Sequence, residues 1–178
     1  MIRPVRRTAA RALASLPAVM CLAAVSEVAP LPDPEGPVLL TVSGDIAATN
    51  AGGTAEFDRA MLEALGMMSF ETSTIWTEGV QRFSGPPLAA LLERLGVDPE
   101  GGATLRATAV NDYAIEIPAA DAVPGGPILA IERGGRPMTL RGKGPIWIVY
   151  PYDSAAQYRT KVIYSRSIWQ LDRLSVEG

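Results

Sequence analysis

Histidine is absent from this chain, and cysteine occurs once, at Cys21. The segment that carries that cysteine reads as an export signal. Arg3, Arg6, Arg7 and Arg11 form a basic start, and Ala12 to Val25 (ALASLPAVMCLAAV) is an apolar run interrupted by Pro17. Ala24-Val25-Ser26 then offers small residues where a signal peptidase cuts. Residues 1–26 are therefore expected to be a signal peptide, with the remainder released into the periplasm. Retention as a membrane anchor is the other reading, although the apolar run is short for a bilayer span. Without this segment the chain keeps neither a thiol nor an imidazole. That excludes a disulfide, a cysteine nucleophile, a Ser-His triad and a zinc site of the Cys/His kind. Four of the 16 Lys and Arg leave with it, so 12 stand against 19 Asp and Glu, a net charge of −7. A domain this acidic has no electrostatic reason to bind nucleic acid or an anionic membrane surface.

What remains is enough for one folded domain with a core. Hydrophobic residues make up 48% of the chain and charged residues 20%. The 17 Gly and 15 Pro fall largely between apolar runs, the punctuation of a strand-rich fold. Residues 27–37 (EVAPLPDPEGP) read as an extended linker, and 38–178 as the domain. A first strand is expected over 38–42. Thr54 is expected to cap a helix running to Leu65, because Phe57, Met61, Leu62 and Leu65 recur at helical spacing. A second helix should present Leu88, Leu91, Leu92 and Leu95 after Pro86-Pro87, and end at Gly96. Strands are expected over 103–110 and 113–117, with a turn at Asn111-Asp112. More are expected over 128–131 and 138–140, joined through Arg133-Gly134-Gly135-Arg136, and over 146–150, 162–164 and 168–176. One helical turn fits 118–123. Two helices among many short strands indicate an α+β domain with mixed or antiparallel sheets.

The stretch from Phe70 to Leu95 organises this scheme. A polar strand leads to Trp76, a turn follows at Glu78-Gly79, and Phe83-Ser84-Gly85-Pro86 enters the helix. Such a stretch makes one wall for a flat ligand. A nitrogen-rich heterocycle needs aromatic faces to stack on and acceptors for its N–H groups. Trp76, Tyr113, Tyr150, Tyr152 and Trp169 supply faces, although Trp147 and Trp169, in alternating strands, read more readily as core than as ligand contacts. Glu78, Asp112 and Asp153 supply carboxylates, and Asp112 reads equally as a turn cap. Nothing in the spacing brings two of these acids together for hydrolysis.

In order along the chain stand Thr72-Ser73-Thr74-Ile75-Trp76, then Phe83-Ser84-Gly85-Pro86-Pro87-Leu88-Ala89-Ala90-Leu91-Leu92, then Asp112-Tyr113 to Pro118, then Gly144-Pro145 to Pro151, and last Trp169 to Val176. This series resembles the oxidoreductase molybdopterin-binding domain, the catalytic domain of sulfite oxidase and its bacterial relatives. The resemblance implies a sulfite-oxidase-type α+β fold with mixed sheets and a few short helices. It also exposes a departure. The enzymes hold molybdenum through a cysteine a few residues before the Trp, where this chain has Thr72-Ser73-Thr74. The soft thiolate the metal needs is missing. Of the basic residues the enzymes place near the last strands for the cofactor's phosphate, only Arg166 is present in Tyr164 to Trp169.

The chain is thus similar to an exported, metal-free branch, the PruR-type periplasmic pterin-binding proteins. By that resemblance it would bind a free pterin rather than a molybdenum cofactor, without catalysis. It would report the pterin to the periplasmic domain of a membrane-bound diguanylate cyclase or phosphodiesterase, or of a sensor kinase. Trp76 and Tyr113 would stack on the pterin, Asp112 would accept from its N–H edge, and Tyr152, Asp153 and Ser167 would lie along the rim. A molybdopterin-dependent oxidoreductase with atypical metal ligation is the alternative.

Overall fold

Apolar residues that alternate with polar ones, cut by glycine turns, fold here into two sheets. The computed structural model describes residues 29–178; the expected signal peptide lies outside them. The strands are β1 (Leu40–Gly44), β2 (Ala55–Phe57), β3 (Met68–Ser73), β4 (Val80–Gly85), β5 (Thr104–Ala109), β6 (Ala114–Pro118), β7 (Ile128–Ala130), β8 (Glu132–Arg133), β9 (Arg136–Pro137), β10 (Ile146–Val149) and β11 (Trp169–Glu177). The helices are α1 (Arg59–Ala64), α2 (Leu88–Leu95) and α3 (Lys161–Ser165).

The long last strand, β11, organises the larger sheet. It runs parallel to β1 along Arg173 to Val176 and antiparallel to β5 along Leu171 to Glu177. Its first residues pair with β10, which pairs in turn with β7. Strands β2 and β6 complete the sheet beside β1 and β5. One parallel pair among antiparallel ones makes it mixed. The second sheet is antiparallel, in the order β3-β4-β8-β9. It joins the first where β4 ends against β7. At Gly85 a Cβ would run into the Leu129 carbonyl oxygen, so only glycine lets the two backbones meet there. Helix α2 buries Leu88, Leu91, Leu92 and Leu95 completely, in one core with Leu40, Leu105 and Ile148. Gly96 closes it in the left-handed conformation, φ 72°.

Four local expectations are corrected. The helix expected from Thr54 begins only after Asp58. Residues 55–57 form β2, with Ala55 and Phe57 buried and Phe57 opposite Leu40. Thr54 instead closes a turn by donating its hydroxyl to Ala51 O, and the cap is Asp58, whose Oδ1 accepts from Met61 N–H at 2.9 Å. Residues 162–164, expected as a strand, lie in α3. Thr160 caps it, and of its residues only Ile163 is buried. A three-residue apolar run carries no period that separates strand from helix. The hairpin at Gly134-Gly135 is present, but its second arm is β9, and 138–140 leads instead into a 3-10 turn over Leu140–Gly142.

The extended segment before β1 is docked along the domain. Arg94 donates to Ala29 O and Pro30 O, Asn50 donates to Pro32 O, and Asp58 Oδ2 accepts from the Glu35 and Gly36 amides.

Candidate functional site

Three separate parts of the chain meet at one cavity. The loop after β3 brings Trp76. The β5–β6 turn brings Asn111 and Tyr113. The junction of α3 and β11 brings Tyr164, Ser165, Ser167, Trp169 and Gln170. The cavity holds about 350 Å³, at the small end of the range for small-molecule sites.

Trp76 is positioned by a chain of short polar contacts. Strand β3 ends at Ser73, whose amide and hydroxyl both donate to the Asp153 carboxylate. Asp153 in turn donates its amide to Thr72 Oγ1 at 3.1 Å. These charge-assisted bonds hold the Asp153 carboxyl below its ordinary pKa, the Ser73 amide first among them. Beyond them, Thr74 and Thr77 share a hydroxyl bond of 2.8 Å, and Trp76 N–H donates to Thr74 Oγ1 at 3.1 Å. The indole then enters an aromatic cluster edge-on, with ring centroids 5.5 Å from Trp169, 5.8 Å from Tyr164 and 5.8 Å from Trp147. Lys143 lies across this cluster. Its ammonium sits 3.9 Å from the Trp169 ring centroid and 5.5 Å from that of Trp147, a cation–π arrangement. Burial first, and then the nearby Arg133, lowers its pKa. Among the described residues, Trp147 Nε1 is the one buried side-chain polar atom without a hydrogen-bond partner.

The expected site residues separate into two groups. Trp76, Tyr113 and Ser167 share the cavity wall. Tyr152, Asp153 and Asp112 are not among its lining residues. Tyr152 is almost fully buried beneath the wall, where its hydroxyl donates to Ser167 Oγ at 2.6 Å, and burial pushes its pKa up to about 12. Asp153 anchors the Trp76 loop. Asp112 adopts a left-handed backbone, φ 65°, in the β5–β6 turn. Its carboxylate accepts from Arg173 at 2.7 Å, beside the cavity rather than in it. Of the other aromatic candidates, Tyr150 is buried with its hydroxyl on Asp121, while Trp169 does line the cavity. Tyr164 and Ser165 escape a sequence reading that takes 162–164 as a strand. The polar Thr160 ahead of Lys161 is the capping signal that would have placed them on a helix.

The donor set does not suit molybdenum held by a thiolate. Where the sequence resemblance implies a cysteine, the chain has Thr72-Ser73-Thr74, whose hard hydroxyls are bonded to Ser73 O, to the Asp153 carboxylate and to the Thr77 hydroxyl. Among the described residues, no group of three His, Cys, Asp or Glu could hold a metal ion. Arg166, the one cation available for a cofactor phosphate in that segment, is paired with Asp121 at 2.9 Å.

An α+β scaffold with one mixed and one antiparallel sheet, bearing an aromatic cavity at the start of its last strand, is the class these observations define. No family model matches the chain, and no curated protein matches it in sequence. Among solved structures it is similar to the sulfane dehydrogenase SoxCD from Paracoccus pantotrophus, with a TM-score of 0.55 at 17% identity. The match covers 78% of this chain and 37% of that one. The chain therefore spans well under half of that protein. At this identity the likeness bears on fold alone, and the fold is the sulfite-oxidase type expected from the sequence.

Proposed function

We propose that this protein binds a free pterin in the cavity walled by Trp76, Tyr113 and Trp169, and carries out no chemistry on it. The observation that carries the reading is the convergence of aromatic side chains from three distant segments on one cavity, on a scaffold whose metal-anchoring position holds hydroxyls. Trp76 and Tyr113 are assigned as stacking faces, and Ser167 as a polar contact. Tyr152 and Asp153 are assigned as supports that fix Ser167 and the Trp76 loop. The export signal read in residues 1–26 supports a periplasmic location. There the loaded protein is proposed to contact the periplasmic domain of a membrane-bound diguanylate cyclase or phosphodiesterase, or of a sensor kinase.

The test is to purify the protein from periplasmic extract and identify what travels with it by mass spectrometry and metal analysis. A stoichiometric pterin without molybdenum is the expected result. Stoichiometric molybdenum would overturn the reading and favour an oxidoreductase with unusual ligation.

A further inference from the structure

The two serines on the α3–β11 wall of the cavity have their donors committed to backbone carbonyls. Ser165 Oγ donates to Val162 O at 2.7 Å, and Ser167 Oγ donates to Ile163 O at 2.8 Å. Ser167 Oγ also accepts from the Tyr152 hydroxyl at 2.6 Å. A hydroxyl has one proton and two acceptor lone pairs. Ser167 therefore retains one lone pair and no proton, and Ser165 retains acceptors only. Gln170 is held by its amide nitrogen, which donates one N–H to Leu140 O at 2.8 Å and leaves the side-chain oxygen able to accept from a ligand. Across the cavity the polarity reverses. Asn111 Oδ1 accepts from Tyr113 N–H at 3.3 Å, which leaves its amide nitrogen to donate.

Charge is missing from the lining: among the described residues no Asp, Glu, Lys or Arg contributes to it. Three cations nearby are engaged elsewhere, while Arg106 stands outside the lining in a neighbouring hollow that Ser165 shares. Arg166 is bonded to both oxygens of Asp121, Arg173 is bonded to Asp112 and Asp172, and Lys143 lies against Trp169. An anion entering this cavity would give up water and find neutral dipoles, several of them acceptors, with no cation in the lining to replace the lost hydration.

We infer that the cavity selects a neutral planar ring whose edge carries N–H donors, and that it discriminates against the phosphorylated form of the same ring. This rests on the pterin reading above and narrows it. Three probes test it in calorimetric titrations of the exported protein: 6-hydroxymethylpterin, its monophosphate ester, and a 2-dimethylamino analogue that lacks the exocyclic N–H donors. The parent compound should bind saturably and the phosphate ester at least about 10-fold more weakly. The 2-dimethylamino analogue should lose roughly 2- to 10-fold, the worth of one neutral hydrogen bond. Ser165→Ala, at an exposed position, should weaken the parent more than the analogue. Equal or tighter binding of either analogue overturns this inference and leaves the pterin reading standing. If none of the three binds, both fall together.

Discussion

Asp58, Asp112 and Asp153 carry the same carboxylate in three different settings, and each setting makes its own prediction. Asp58 is buried, caps α1 and ties the segment before β1 through two further amides. Its folded-state pKa is depressed, with the Met61 amide as the first cause. A depressed carboxylate stabilises the fold at pH above its unfolded value, and that contribution disappears as pH falls through the folded value. Asp58→Ala should therefore cost about 1–2 kcal/mol at neutral pH in urea unfolding. The gap from wild type should hold level above about pH 5 and narrow below about pH 4. A gap that widens in acid would contradict this assignment. Asp112 faces Arg173 beside the cavity. Asp112→Ala should leave the affinity for an uncharged pterin within about 3-fold, because the carboxylate lies outside the lining. It should also soften the rejection of the phosphate ester, since it frees a cation nearby. A loss beyond about 10-fold for the uncharged pterin would instead give Asp112 the edge-reading role implied by the sequence resemblance.

The site depends on loops that elements hold by their ends. The Trp76 loop is fixed by the Asp153 carboxylate at the last residue of β3, and this contact joins residues 80 positions apart. Asp153→Ala should weaken pterin binding and reduce the near-ultraviolet circular dichroism of the Trp76 cluster, with far-ultraviolet signal unchanged. Loss of affinity with the aromatic signal intact would show that Asp153 touches the ligand rather than positions the loop. Gly85→Ala should destabilise by roughly 1–3 kcal/mol or more, because the meeting of β4 with β7 leaves no room for a methyl group. Much of this was legible in the sequence. Helix α2 announced itself through four leucines at helical spacing and a closing glycine, and Asn111-Asp112 announced the β5–β6 turn. The cavity's third wall was legible only at Ser167 and Trp169. Helix α3 is one short turn with a single buried residue, so periodicity has nothing to act on, and Tyr164 and Ser165 were hidden with it. The exchange of Thr54 for Asp58 as helix cap has a similar cause. Phe57 fits a helical spacing and a strand alternation equally, and pairing with Leu40 decided between them.

At the scale of the whole molecule, the fold is a scaffold that carries an aromatic cavity with no charged side chain in its described lining. A ligand that binds only the folded state raises its stability by mass action, about 2.7 kcal/mol at a concentration 100 times Kd. A saturating pterin should therefore delay unfolding of the wild-type protein and leave Trp76→Ala unmoved. The most direct measurement is a titration of reduced and oxidised pterins into wild type and Trp76→Ala, followed by heat and by the quenching of tryptophan fluorescence. One saturable site in the wild type, lost in the variant while the variant remains folded, is the predicted result. A wild-type protein that binds no pterin, or a variant that binds as well as wild type, would contradict it.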